Sequence, residues 1–269
     1  MIDSPNGILA LPGFLALRSV RYLGQLGLLM LKLATSIFKG VFRLRLMAEQ
    51  LVTIGYGSQV VVIVTGAFTG AVFSYQSYAK FKDFGIESTV GGIVSVSLCR
   101  ELAPVLAGLM VIGRVGAAMA AEIGTMKVSE QIDALRVMGV HPVDYLVMPR
   151  FAAMMISMPL LIAESIVFGL AASALVMVVG IGVPYAWWWT HVLEHTNLQD
   201  VSFGMIKGFV FGIVIVIISC HQGLVTENGA VGVGLSTTRA VVYSSLALLM
   251  VNFFLTVLLN YFFPLGTGM

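Results

Sequence analysis

The chain is 269 residues long, 58% hydrophobic and only 10% charged, with a mean hydropathy of +0.97. A water-soluble fold carries about a quarter charged residues and could not hide so much apolar surface, so the bilayer is the solvent for most of the chain. A net charge of +2, with no basic run interleaved with aromatics in a polar setting, excludes a nucleic-acid binder.

The N-terminus opens with Asp3 rather than a basic region, and Arg18 and Arg21 interrupt the first apolar stretch, so no cleavable signal is expected and the chain is expected to be retained whole. Between Phe14 and Lys39 the polar residues Arg18, Arg21, Gln25, Lys32, Ser36 and Lys39 recur at steps of three, four and seven, stacking on one helical face opposite a Leu-rich one. Such a helix, placed within 12–45, lies in the membrane interface, and its basic stripe, continued by Arg43 and Arg45, suits anionic headgroups.

Charge gaps then mark five spans. Residues 51–78 carry no formal charge and end at a polar loop with Lys80, Lys82, Asp83 and Glu87; 91–115 contain Arg100, Glu101 and Arg114. A charged loop over 116–150 separates these from 151–183, which hold only Glu164, and Trp187, Trp188 and Trp189 read as an interfacial aromatic belt. The last two spans are 201–220, with Lys207 inside, and 241–264, the Gly-rich stretch from Gly223 to Gly234 between them reading as a flexible turn. Because irregular backbone is not tolerated against lipid, every span should be helical, predicting one all-α membrane domain over 1–269. Lysine and arginine placement puts the N-terminus in the cytoplasm and, with five spans, the C-terminus outside.

Gly66 and Gly70, and Gly204, Gly208 and Gly212, have the four-residue spacing that lets helices approach closely, either within the chain or between two copies. Cys99 and Cys220 sit in apolar runs and read as packing residues. His191 and His195 are spaced i, i+4 but lack the glutamate of H-E-x-x-H, so no metal site is expected. No G-x-x-x-x-G-K-[ST] occurs, so nucleotide chemistry is expected elsewhere.

Arg100 and Glu101 lie about 14 Å along their span from Gly91, near mid-bilayer, where an unpaired charge costs several kcal/mol. Sequence neighbours diverge by about 100° on a helix, so each needs a partner from elsewhere: Lys207, Glu164 or a bound ligand. Pro104 lacks the N–H that would bond the Arg100 carbonyl, predicting an opened backbone beside these charges. A bent polar site in apolar walls suits an amphiphile; an ion-pair network that only holds helices together is the alternative. In the segment 127–140, Ser129 can cap a short helix with Ile132, Leu135 and Met138 on one side and Glu130, Asp133 and Arg136 on another, a pattern fitted to docking on a partner at the membrane face.

The run from Leu98 to Arg150, with R-E-L-x-P-V, G-R-x-G-A-A, A-E-I-G-x-M and E-Q-I-D-A-L in order, resembles the signature of the MlaE (YrbE-type) permease family, and the stretch from Ser236 is similar to its last span. The resemblance covers nearly all the chain after the N-terminal helix; the N-terminal residues and 184–200 depart from it. It implies a homodimeric permease of the Mla phospholipid transporter type in the bacterial inner membrane. Its partners would be a cytoplasmic ABC ATPase that uses the ATP, a STAS-type accessory protein and a periplasmic MCE-domain ring; this chain would bind no cofactor. Such complexes move phospholipid between the inner and outer membranes and maintain outer-membrane asymmetry. Carried onto this chain, Arg100 and Glu101 are polar positions at the lipid cavity, with Leu102, Val72 and Tyr75 as acyl-chain walls, while Glu130, Gln131, Asp133 and Leu135 belong to the coupling helix. Two other classes stand beside this one. An ion-coupled secondary carrier would use Arg100, Glu101, Glu164 and Lys207 as a relay, although no inverted repeat is visible; an intramembrane enzyme lacks a nucleophile and base at matching spacing.

Overall fold

The computed structural model describes residues 11–38, 43–86 and 89–262, and among these the chain is all α-helical. Lys39, Glu87 and the end of the 241–264 span lie outside the described residues. The helices are α1 (Leu11–Phe38), α2 (Leu44–Lys82), α3 (Val90–Val128), α4 (Gln131–Val137), α5 (Val143–Gly180), α6 (Tyr185–His195), α7 (Leu198–Leu224) and α8 (Gly229–Phe262). Five of them, α2, α3, α5, α7 and α8, are long and apolar enough to cross a membrane.

Small residues set the closest crossing. Along α2, Gly66, Gly70 and Ser74 face Ser165, Gly169 and Ser173 of α5; a Cβ on Gly70 would lie 2.1 Å from the Gly169 carbonyl oxygen and one on Gly66 would lie 2.7 Å from that of Ser165. Ser74 donates a hydrogen bond to Ser173 across the same seam. Facing residues differ by 99 in number (165−66, 169−70, 173−74), so the two helices run parallel. The glycines of α7 also pack within the chain: Gly204 against the Cys99 carbonyl, Gly208 against Pro159, Gly212 against Met154 and Met155. Both glycine stripes are therefore used in intrachain helix packing, with the two cysteines fully buried nearby. The main core gathers Val62, Met154, Met158, Ile162, Phe211, Ile215 and Leu248; a smaller one at the α6 end gathers Val90, Val94, Leu98, Met177 and Trp188.

Helix ends depart from the charge gaps. The polar stretch after residue 116 stays helical to Val128, α5 begins at Val143 with Arg150 inside it, and α8 starts at Gly229. Backbone hydrogen bonding carries a helix on past the apolar run, so hydropathy marks where a helix meets lipid and not where it stops. The Gly223–Gly234 stretch is a tight connection: only residues 225–228 leave the helices, Asn228 and Gly229 take positive φ (65° and 64°), and Gly232 sits on the Glu227 carbonyl where any Cβ would clash. The tryptophan belt also divides, Trp188 being buried in the smaller core while Trp189 stays outside.

On α1, the buried Leu29, Leu33 and Ser36 meet the bundle, Ser36 donating to Asp144, while Tyr22 receives a hydrogen bond from Gln222 at 3.1 Å. Leu17, Val20, Leu23, Leu31 and Phe38 point outward. Leu29 and Leu33 therefore anchor α1 to the bundle, while its exposed surface carries both leucines and the polar Arg21, Gln25 and Lys32.

Candidate functional site

Pro104 in α3 cannot bond the carbonyl of Arg100, and the helix there opens into a π-turn over Leu98–Leu102. The freed carbonyl is taken by Lys207 of α7, whose Nζ donates to it at 2.7 Å. The same ammonium lies 2.8 Å from Glu101 Oε1 and donates to Thr256 Oγ1 of α8 at 2.9 Å. Its three hydrogens thus meet three acceptors in a position with no solvent exposure. Glu101 further accepts from Asn252 Nδ2 at 3.1 Å and Thr256 Oγ1 at 2.9 Å. Arg100 pairs through Nε with Asp200, donates to Asn260 Oδ1 at 3.1 Å, and stacks over Phe203 at 4.4 Å. Asp200 is held in place by the capping box that starts α7, its Oδ2 accepting the Asn197 N–H at 2.8 Å.

Arg100 and Glu101 therefore do find partners from other helices. Lys207 is one of the two expected from the sequence; Glu164 is not, because it accepts from Gln59 at 2.9 Å on the α2–α5 side, in a groove of about 490 Å³. Two cations balance two carboxylates, so the network is neutral as a whole. The four differ in access: the Asp200 side chain is 3% exposed and Arg100 11%, but Glu101 is 39% exposed. Of the four, only the Glu101 side chain is substantially exposed. Leu102 packs toward the smaller core, whereas Val72 and Tyr75 lie exposed on α2, away from the α3–α7–α8 contacts that hold Arg100 and Glu101. Asp200, Asn252, Thr256 and Asn260 were not read from the sequence; the four-residue recurrence of 252, 256 and 260 on one helix face is the signal that could have found the last three.

At the opposite end, Arg114 donates to the Thr53 carbonyl at 3.2 Å and to Ser58 at 2.8 Å, tying α3 to α2. Arg150 pairs with Glu122 at 2.8 Å, joining α5 to α3. The helix α4 hangs below on an Asp133 bridge, with Lys127 at 3.0 Å and Arg136 at 2.8 Å. The Lys127 hydrogen bond, aided by both charges, holds the Asp133 carboxyl below its ordinary 3.8. A lowered carboxyl stabilises the bridge at every pH above that ordinary value and loses its contribution only as pH falls through the lowered one.

Ser129 does not cap α4: it closes α3, donating to Thr125, and Glu130 makes the turn in the left-handed region at φ 61°. Two tight reversals leave no extended position for a capping side chain. Ile132 is buried and Leu135 partly buried, but Met138 turns outward together with Val137, which is 90% exposed; Glu130 and Gln131 are also exposed. His191 and His195 each face a backbone carbonyl four residues back through Nδ1, and no cluster of three or more metal-ligating side chains occurs among the described residues.

Residues 47–258 match the family model described as Permease MlaE. The chain is 45% identical over 225 residues to a probable ABC transporter permease protein of Rickettsia typhi, covering 84% of this chain and 87% of that one. It is 42% identical to a probable ABC transporter permease protein of Synechocystis, covering 82% and 84%. It is also 40% identical to the chloroplastic protein TRIGALACTOSYLDIACYLGLYCEROL 1 of Arabidopsis thaliana, covering 86% and 65%. With five apolar helices, a buried ionic network across three of them and this match over most of its length, the chain belongs to the MlaE permease family and is a multi-pass membrane protein with a transport role.

Proposed function

We propose that the chain works as a homodimer at the centre of an ABC transporter that moves phospholipid between the inner and outer membranes of a bacterium, maintaining outer-membrane asymmetry. Its N-terminus is cytoplasmic and its C-terminus periplasmic. ATP is hydrolysed by a separate cytoplasmic ATPase, and a STAS-type protein and an MCE-domain ring complete the assembly. The observation that carries the lipid reading is Glu101, the one charged side chain of the buried neutral network that is substantially exposed. A carboxylate fixed by an ammonium and two side-chain donors suits the polar end of an amphiphile, whereas Leu102, Val72 and Tyr75 stand apart from it and are not part of this contact. Arg100 then acts as a positioning residue that holds Asp200 and the start of α7. That one relative is named for a galactosyl diacylglycerol supports the coarser reading of a diacylglycerol-based lipid as cargo.

The test is to purify the protein with its partners and identify bound lipid by mass spectrometry. Glu101→Gln keeps hydrogen bonding but removes the charge, and a hydrogen bond to a charged group is worth about 1.5–3 kcal/mol, so lipid occupancy is expected to fall about tenfold or more with assembly intact. Equal lipid content would remove Glu101 from the site. A solitary protein that transports without ATP would favour an ion-coupled carrier instead.

Energy enters through α4, whose exposed Glu130, Gln131, Val137 and Met138 form the docking tip while Asp133 and Leu135 hold it to the bundle. Val137→Asp or Glu130→Lys is expected to weaken ATPase association by about tenfold, as loss of an interface anchor does. Copurification against unchanged monodispersity of the permease reads the effect; full ATPase retention in both variants would exclude this tip.

A further inference from the structure

A cavity of about 550 Å³ opens where α1, α4, the α4–α5 link and the end of α7 meet, lined among others by Gln25, Lys32, Arg136, His141, Asp144 and His221. Its chemistry is lopsided. Asp144, the one acidic residue in the lining, already accepts from Ser36. Lys32 has no ion pair among the described residues, and Arg136 spends one nitrogen on Asp133. His221 is 6% exposed, and its Nδ1 is buried with no hydrogen-bond partner. Leu28, Leu29, Val143 and Leu224 complete the wall on the apolar side. An unpaired ammonium, a guanidinium with free donors and an unbonded imidazole nitrogen converge on a space large enough for a small headgroup.

Depth decides the occupant. The cavity flanks α1, whose exposed surface mixes leucines (Leu23, Leu28, Leu31) with polar residues (Arg21, Gln25, Lys32), the pattern of a helix at the boundary between headgroups and acyl chains, where the donors would stand at phosphate level. We propose that this cavity holds the phosphate of an anionic phospholipid of the adjoining leaflet, its chains running out along Leu28 and the open face of α1. Because Lys32 comes from α1, Arg136 from α4 and His221 from α7, such a lipid clamps the interfacial helix to the docking helix and makes the position of α4 sensitive to the leaflet's anionic lipid. The inference rests on the membrane placement of α1 and not on which lipid the permease carries.

Delipidated full-length protein in detergent, titrated with phosphatidylglycerol, phosphatidylcholine of equal chain length or glycerol 3-phosphate and read by native mass spectrometry, tests it without any transport assay. Phosphatidylglycerol is expected to bind in preference to both. Each basic residue near a membrane surface contributes about a fivefold change in affinity, so Lys32→Gln and Arg136→Gln should each weaken phosphatidylglycerol binding about fivefold and the double variant about thirtyfold. Lys32 is exposed and the Arg136 side chain 60% exposed, so neither change threatens the fold. Lys82→Gln, at the far end of α2, should leave binding as it is. Undiminished affinity in the double variant overturns the proposal. Competition by glycerol 3-phosphate at equal potency would assign the cavity to a small phosphate, and loss of a copurifying cytoplasmic protein with phosphatidylglycerol affinity intact would assign it to protein docking; either result also overturns it.

Discussion

Replacing Lys207 by methionine is expected to destabilise the protein by about 3–5 kcal/mol, the cost of breaking a buried pair by removing one partner. The ammonium serves three acceptors at once, and two of them have no substitute nearby: the Glu101 carboxylate loses its counter-charge, and the Arg100 carbonyl loses the donor that replaces the N–H missing at Pro104. Glu101 is partly exposed, so solvent or lipid headgroups relieve some of its charge and the lower end of the range applies. The companion variant separates charge from packing. In Lys207→Met/Glu101→Met the orphaned carboxylate is gone, and at least half of the lost stability should return. Thermal unfolding in detergent, followed by tryptophan fluorescence, measures both. A single Lys207 variant as stable as the parent would mean that the network bears no weight in the fold.

The second large effect belongs to Gly70. A leucine there meets the Gly169 carbonyl oxygen, which a Cβ would approach to 2.1 Å. A side-chain obstacle can rotate aside, but a backbone one yields only if α2 and α5 separate along their whole seam. Overpacking of a filled core costs about 1–3 kcal/mol, and the rigid obstacle places this case at or above the upper bound. Ser173→Ala, which removes only the hydrogen bond with Ser74 in the same seam, is the contrast. Neutral interhelical hydrogen bonds in membranes average about 0.6 kcal/mol, so that variant should be close to neutral. Yield of monodisperse protein and unfolding temperature should fall sharply for Gly70→Leu and barely for Ser173→Ala; comparable losses would show that hydrogen bonding, not close approach, holds the seam.

Much of the candidate site was legible. A proline four residues after an arginine identified which carbonyl would be freed, and the scarcity of charge in the spans made Lys207 a natural counter-ion. Asp200 was hidden because it falls in a segment read as outside the membrane, and only the capping box at Asn197 turns its carboxylate back toward Arg100. Asn252, Thr256 and Asn260 were hidden for a different reason: uncharged polar residues cost a membrane helix little, so they raise no signal until charged neighbours are known to face them. At α4, amphipathic spacing located the helix, but the left-handed turn at Glu130 leaves Ser129 on the preceding helix, and the helix ends at Val137, so Met138 falls beyond its buried side.

By itself the sequence determined that this is a membrane protein of five apolar helices, because transfer of long uncharged runs into lipid is a local property summed over neighbours in the chain. The family followed from ordered motifs for a similar reason. Tertiary structure alone decided which charges neutralise one another, which glycines carry backbone against backbone, and which residues of α1 pack on the bundle. Those outcomes depend on residues from tens to more than a hundred positions apart meeting at a few ångströms, and pairing in a medium without water is settled by that geometry and not by the spacing of residues along one helix.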